Sequence, residues 1–172
     1  MAERISKEKK IDETNRKLLQ LLQKDSKQSI AKLSEALGIG ISSVHARMKT
    51  LKEYGIIKHY SAVVDPGRVE RGTLAFILVT VRYRVPGRKG VLSQREFCEQ
   101  IAGHPLVQGV HVLSGEYDVL LKVRAGNIGE MNSFIVDFLR ELPEVDRTLT
   151  MFAMDSYLDT LELRNLTSNH KL

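Results

Sequence analysis

The stretch from Ser42 to Thr50 carries short polar and cationic side chains at spacings suited to one side of a helix. Val44, Met48 and Leu51 recur at intervals of four and three residues, which predicts a helix with these residues turned inward. The side chains left outside are hydroxyls, an imidazole, a methyl group and cations. Such groups can contact base edges in the major groove of DNA, where arginine binds guanine through two hydrogen bonds. The residues expected to contact bases are Ser42, Ser43, His45, Ala46 and Arg47.

The net positive charge of the chain lies in its first part. Residues 1–65 contain 13 Lys and Arg against 8 Asp and Glu, whereas the remaining residues contain 13 against 13. A basic segment followed by a neutral one indicates one part that meets a polyanion and another that packs against protein. An ordinary solvated surface is the alternative interpretation of the same charges. If the polyanion is DNA, the residues expected to position its phosphates are Lys27, Lys32, Lys49 and Lys52.

Three helices and a short strand are predicted to position these side chains. Apolar residues at helical spacing predict a first helix over 11–23, and a second follows Ser29, whose hydroxyl suits an N-cap. A glycine-containing turn leads to the third helix near Ile41, which is the helix-turn-helix pattern. Gly55 suits the left-handed position after a helix. Residues 56–60 then predict a short strand, the start of a wing.

The rest of the chain predicts an α+β domain with the ferredoxin-like order βαββαβ and an antiparallel four-stranded sheet. Its first strand, over 73–83, has hydrophobic residues on both alternating faces. We therefore expect helices on one face of the sheet and the sheet of a second subunit on the other. The remaining predicted elements are a polar loop at 84–90, a helix at 94–102, hairpin strands at 107–113 and 117–123, a helix opened by the capping box Asn127 and Glu130, and a strand at 147–158.

Other classes of function find little support in the residues. Cys98 is the single cysteine, which excludes an intramolecular disulfide and a CxxC site. His104, His111, Cys98 and Asp118 show no metal-ligand or triad-like spacing, so neither catalysis nor a metal or cofactor is expected. The phrase HVLSGEYDV lacks the aromatic pattern of an RNA recognition motif. With no signal peptide and no apolar run long enough for a bilayer, we expect a cytoplasmic protein without a membrane partner.

Several phrases occur in a recognisable order between Ile11 and Pro66. They are the pair Ile11-Asp12, an LLQ-x-D phrase, an LG turn, an R-hydrophobic-K-x-L phrase, and the tail GII-x-x-Y-x-A-x-x-D. In this order they strongly resemble the DNA-binding domain of the Lrp/AsnC (feast/famine) regulators. Members of that family often carry Ser followed by Pro at the N-cap of the recognition helix, where this chain has Gly40 and Ile41. Glycine is a tolerable cap, so we still expect the helix to form.

The second half is similar to the effector domain of the same family, a RAM/ACT-like domain, so the resemblance runs to about Leu163. The residues that carry this similarity are the phrase GEYD at the central hairpin. The resemblance implies that this hairpin joins dimers and binds an amino acid there. A glycine allows close approach and leaves amides for a carboxylate, while Asp118 can pair with an ammonium group. The alternative is a turn glycine beside a solvated edge charge. The residues expected to bind the effector are Ser114, Gly115, Glu116, Tyr117, Asp118, Thr148 and Thr150.

These features predict a sequence-specific transcriptional regulator. It is expected to bind a pseudo-palindromic site in double-stranded promoter DNA as a dimer, which the resemblance extends to an octamer, and to respond to a small amino acid. The alternative is an architectural DNA-binding protein that needs no effector. The predicted divisions are a basic tail at 1–10, a winged helix-turn-helix domain at 11–65, a hinge at 66–72, an effector-binding and oligomerisation domain at 73–164, and a C-terminal tail at 165–172.

Overall fold

The computed structural model of the protein describes residues 11–84 and 93–167. The chain forms two compact units. The helical unit comprises the described residues up to Ala62 together with those from Leu158 onward, and the sheet unit runs from Val63 to Tyr157. The predicted basic tail at 1–10, most of the predicted loop at 84–90 and the last residues of the predicted C-terminal tail lie outside the described residues.

Three helices make up most of the helical unit: α1 (Glu13–Lys24), α2 (Ile30–Leu37) and α3 (Ile41–Glu53). The N-cap predicted for α2 is confirmed, because the Ser29 hydroxyl accepts a hydrogen bond from the amide of Lys32. Apolar residues spaced along each helix meet in one core, which fixes α3 against the other two. This core consists of Leu18, Leu22, Leu33, Val44, Leu51 and Ile57.

The segment after α3 differs from its prediction. Gly55 has φ 69°, the left-handed conformation expected there. Residues 56–60, however, form no strand, so the prediction of a wing strand is wrong for this chain taken alone. A strand requires a neighbour with which its backbone can exchange hydrogen bonds. No described strand of this chain pairs with residues 56–60.

The sheet unit has the predicted order βαββαβ. Its strands are β1 (Thr73–Val81), β2 (Val107–Val112), β3 (Val119–Ala125) and β4 (Val145–Phe152), arranged β2-β3-β1-β4 with every neighbouring pair antiparallel. The helices are α4 (Gln94–Ala102) and α5 (Ile128–Ser133), and α5 continues as a π-helical segment over Phe134–Leu139. The predicted capping box is half confirmed: Asn127 accepts from the amide of Glu130, but Glu130 accepts from the amide of Gly126.

The two faces of the sheet are covered differently. Ala75, Ile77 and Val79 of β1 are fully buried in the core formed with the helices. On the opposite face, Leu78 lies beside Leu149 of β4, and Phe76 lies beside Met151. Leu149 and Met151 are 43% and 44% exposed. The hydrophobic character that the sequence predicted for both faces is therefore present, with one face buried by this chain and the other still in contact with solvent.

The chain beyond the sheet returns to the helical unit. The side-chain amide of Gln23 accepts a hydrogen bond from the Leu163 amide at 2.7 Å and donates to its carbonyl at 3.1 Å. Arg16 donates to the carbonyl of Leu166 at 3.0 Å. The sequence prediction placed residues up to 164 in the second domain. It missed this return because a contact between residues so far apart in the chain leaves no local pattern.

Candidate DNA-binding and effector sites

The predicted base-contacting residues Ser42, Ser43, His45 and Ala46 lie on the exposed side of α3. They do so because Val44 and Leu51 are buried in the core and fix the rotation of the helix. As expected from the glycine at its N-cap, α3 begins without a side-chain capping bond. Its first turns thus present short side chains to solvent, which is the surface that a recognition helix offers to the major groove.

Arg47 has partners inside the helical unit. Its Nη1 atom donates to Asp12 Oδ2 at 2.7 Å and to Asn15 Oδ1 at 2.8 Å, and its side chain is only 31% exposed. The hydrogen bond from Arg47 lowers the pKa of the Asp12 carboxyl below its usual value. The predicted base contact of Arg47 stays a prediction, but the structure gives this residue a second task, which is to join α3 to the start of α1.

The lysines expected to position phosphates are all exposed. Lys27 and Lys32 lie at the α1–α2 turn and on α2, and Lys49 and Lys52 lie on α3. Lys49 approaches Glu53 at 3.8 Å, a solvent-exposed pair one helical turn apart. Such a pair contributes little energy, so it can open when a phosphate arrives.

At the predicted effector hairpin, Asp118 makes contacts within its own chain. Its Oδ2 atom accepts from the Val81 amide at 2.8 Å, and its Oδ1 atom accepts from the Tyr83 hydroxyl at 2.8 Å. The backbone of Asp118 also bonds to Val79 and Leu113. This residue therefore joins the start of β3 to the end of β1 and to β2.

The tip of the hairpin is open. Ser114, Gly115 and Glu116 are exposed, and among the described residues none accepts a hydrogen bond from the amide of Gly115 or Glu116. Gly115 has φ 154°, a conformation that favours glycine, and nothing lies within 4 Å of the position a Cβ would take. The cavities of about 480 and 520 Å³ in the sheet unit are lined by other residues. The hairpin tip is thus exposed, and these two amides have no acceptor among the described residues.

Thr148 and Thr150 lie apart from the hairpin within one chain. They pair with Val79 and Ile77 of β1, which places them on the face that packs against the helices. The strand β1 separates β4 from β3. Two strand spacings amount to about 10 Å, so these hydroxyls do not meet the hairpin of their own chain.

His104 and Cys98, two of the residues considered for catalysis, pack against neighbours in the sheet unit. The His104 ring lies 4.7 Å from that of Phe134 and 4.5 Å from that of Phe138, and burial lowers the pKa of its imidazole. Burial likewise raises the pKa of the Cys98 thiol. Within the described ranges, no three His, Cys, Asp or Glu side chains are grouped so as to hold a metal ion. None of the described helices has the length and apolar character that crossing a bilayer requires.

The sequence analysis missed two groups of residues at these sites. The first is Asp12 and Asn15 beside Arg47, and the second is Tyr83 and Gln94, which form a hydrogen-bonded chain with Asp118. Aspartate is a typical N-cap residue, and the Asp12 side chain accepts from the Asn15 amide, but the predicted helix began at residue 11 and this cap was not assigned. No sequence signal indicated its pairing with α3.

Two family models match the chain. A winged helix-turn-helix DNA-binding model matches residues 11–58, and the Lrp/AsnC ligand-binding domain matches residues 74–163. The two models correspond to the helical unit and to the sheet with the segment that follows it.

Relatives match along most of their length and are named as transcriptional regulators. An uncharacterized HTH-type transcriptional regulator of Pyrococcus abyssi is 41% identical over 146 residues, which cover 85% of this chain and 94% of that one. The HTH-type transcriptional regulator FL11 of Pyrococcus horikoshii is 33% identical over 153 residues, covering 89% and 95%.

Solved structures share the fold. A transcriptional regulator of Neisseria meningitidis in complex with L-Met has a TM-score of 0.78 at 28% identity, covering 88% of this chain and 95% of that one. An AsnC family transcriptional regulator of Agrobacterium tumefaciens has the same TM-score at 26% identity and the same coverage. The family model, the relatives and the fold agree: the chain belongs to the Lrp/AsnC family of transcriptional regulators, with a winged helix-turn-helix DNA-binding domain followed by a Lrp/AsnC ligand-binding domain.

Proposed function

We propose that this regulator recognises a specific DNA sequence through the exposed side of α3. The observation that carries the proposal is the exposure of Ser42, Ser43, His45 and Ala46 on the second helix of a helix-turn-helix. Short side chains allow the helix to lie close to base edges in the major groove. The exposed lysines at 27, 32, 49 and 52 then hold the phosphates on either side, and Arg47 either contacts a base or sets the orientation of α3.

The regulator binds DNA as a dimer. Support comes from the sheet face that carries Leu149 and Met151, since an exposed apolar face on an otherwise packed sheet suits a second copy. A symmetric dimer presents two recognition helices to half-sites about 34 Å apart, and its site is therefore pseudo-palindromic.

The effector is a small amino acid bound at the hairpin Ser114–Asp118. The solved regulator of Neisseria meningitidis, a relative at 28% identity, was determined with L-Met. In this chain the hairpin amides would bind the carboxylate of the ligand, and a carboxylate of the hairpin would bind its ammonium group. Because the hairpin lines neither of the two cavities described above, a second dimer completes the site, as it would in an octamer. Thr148 and Thr150 can contribute there only from another copy.

The amino acid controls assembly or DNA affinity by binding one assembly state more tightly than another. Light scattering of the purified protein with each of the twenty amino acids, beside a mobility shift on its own promoter DNA, tests this. We expect one amino acid, with L-methionine tried first, to change both the mass and the DNA affinity. Specific DNA binding that no amino acid alters would instead identify an architectural DNA-binding protein, and the absence of specific binding would overturn the proposal.

A further inference from the structure

The two carboxylates of the hairpin are in different situations. Both oxygens of Asp118 accept hydrogen bonds from β1 and the residues that follow it, one from the Val81 amide and one from the Tyr83 hydroxyl. Glu116 is exposed at the tip of the turn, and no described residue bonds to its carboxylate. A ligand that approaches the hairpin therefore meets one carboxylate already engaged at the base and another that is available at the tip.

The contact between Asp118 and Tyr83 extends to a third element. The Tyr83 oxygen accepts a hydrogen bond from Gln94 Nε2 at 3.2 Å, and Gln94 is the first residue of α4. The end of β1, the start of β3 and the start of α4 are thus joined through side chains. Because its hydroxyl donates to Asp118, Tyr83 has a raised pKa and keeps its proton in the folded protein.

We propose that Asp118, Tyr83 and Gln94 are positioning residues that hold the base of the effector hairpin, and that Glu116 is the carboxylate that binds the ammonium group of the amino acid. This inference rests on the proposed function, because it assigns roles within the same effector site. Asp118 acts on the ligand only by fixing the hairpin, so its shape and hydrogen bonds matter more than its charge. Glu116 acts by its charge.

Two isosteric variants separate charge from shape. In Asp118→Asn the amide oxygen can still accept from the Val81 amide, and the amide nitrogen can donate to the Tyr83 oxygen. In Glu116→Gln the length is kept and the charge is lost. Calorimetry of the full chain with L-methionine and with any amino acid found by the screen measures both. We expect Glu116→Gln to weaken binding about tenfold and Asp118→Asn to weaken it less than about threefold, because charge-assisted hydrogen bonds are the stronger ones.

Hydrogen exchange of residues 113–118 gives a readout that needs no ligand. Asp118→Ala and Tyr83→Phe remove hydrogen bonds at the base of the hairpin, so both should speed exchange there, whereas Asp118→Asn and Glu116→Gln should leave it unchanged. Gln94→Ala should have a smaller effect in the same direction, since it removes only the outer bond.

The opposite pattern overturns the proposal. If Asp118→Asn abolishes binding while exchange at the hairpin stays normal, Asp118 itself binds the ammonium group. Unchanged exchange in both Asp118→Ala and Tyr83→Phe would refute the positioning role on its own. If the wild-type chain binds no amino acid, the proposed function fails and the role of Glu116 fails with it, whereas the exchange pattern still decides whether the three residues position the hairpin.

Discussion

At the scale of single residues, Arg47 connects the recognition helix to α1 through two oxygen acceptors, Asp12 Oδ2 and Asn15 Oδ1. Helical periodicity predicted which residues of α3 turn inward, and burial of Val44 and Leu51 confirms it. Periodicity does not tell whether a half-buried cation finds a partner on another helix. For that reason the sequence assigned Arg47 to DNA alone, and the role of Asp12 appeared only in the structure.

The substitution Asp12→Asn tests how Arg47 acts. Asparagine is also a good N-cap, so it can keep the hydrogen bond from the Asn15 amide while it loses the charged acceptor of Arg47. If Arg47 orients α3 through Asp12, the variant should lose specific DNA affinity by about three- to tenfold, the range expected for one partly exposed charge-assisted hydrogen bond.

Fluorescence anisotropy measures the affinity of each variant for promoter DNA and for random DNA. Arg47→Ala and the double variant complete a double-mutant cycle with Asp12→Asn. Non-additive losses indicate a shared role for the two residues. Wild-type affinity in Asp12→Asn, combined with a large loss in Arg47→Ala on promoter DNA but not on random DNA, would instead indicate that Arg47 reads a base directly.

The same ion pair gives the helical unit a dependence on acid. The pKa of Asp12 is lower in the folded state than the ordinary value of 3.8, chiefly because of the hydrogen bond from Arg47. A lowered pKa stabilises the folded state above the unfolded pKa, and this stability is lost as the pH falls through the folded pKa. We expect the wild type to lose more stability than Asp12→Asn as the pH falls below about 5, seen as a larger drop in its melting temperature across thermal melts at decreasing pH. Equal losses of stability in the two proteins as the pH falls would contradict this.

At the scale of elements, caps were the most predictable features because they depend on neighbours within four residues. Ser29 and Asn127 cap their helices as the sequence indicated. The wing strand was not predictable, since a strand also depends on a partner segment, which local sequence does not reveal. The end of β4 was placed too late for a related reason: residues after Phe152 keep a strand-like composition but leave the sheet.

The two glycines around the helix-turn-helix turn should respond oppositely to serine. Gly40 is the N-cap of α3 and has an ordinary φ of −64°, and a Cβ at this position would lie 4.0 Å from the nearest atom. Gly40→Ser should therefore add a capping hydrogen bond that stabilises the protein by roughly a few tenths of a kcal/mol. Gly38 has φ 65° in open space, so Gly38→Ser should cost about 1 kcal/mol from conformation alone. Chemical denaturation of the two variants measures both changes. If both variants changed the stability in the same direction, the turn would not hold these conformations.

At the scale of the whole molecule, the sequence already indicated a sheet with two apolar faces, and the structure shows which face the chain buries itself. It could not show that residues 158–167 rejoin the helical unit, so that the chain passes between the two units twice. The effector site was the least predictable feature. Its hairpin was recognisable from the phrase GEYD. The surface proposed to complete the site around a ligand belongs to another copy of the chain, and the sequence of one chain does not identify it.

The uncovered sheet face supplies the last prediction. Leu149→Glu places a carboxylate on the exposed face of β4, within the proposed dimer interface, whereas Val136→Glu makes the same change on a helix-side residue that is 39% exposed. If the sheet face forms the dimer, Leu149→Glu should yield a monomer in light scattering, and Val136→Glu should keep the wild-type mass.

DNA binding then separates assembly from recognition. Two linked half-sites raise affinity only for a dimer, since the second contact becomes intramolecular. The monomeric Leu149→Glu should therefore lose about a hundredfold or more on a two-half-site operator but little on a single half-site. A dimer that persists in Leu149→Glu, with Val136→Glu equally unaffected, would place the dimer interface elsewhere. The next surface to test would be the segment at 56–65, which has exposed apolar residues and pairs with no strand in the part of the chain that the structure describes.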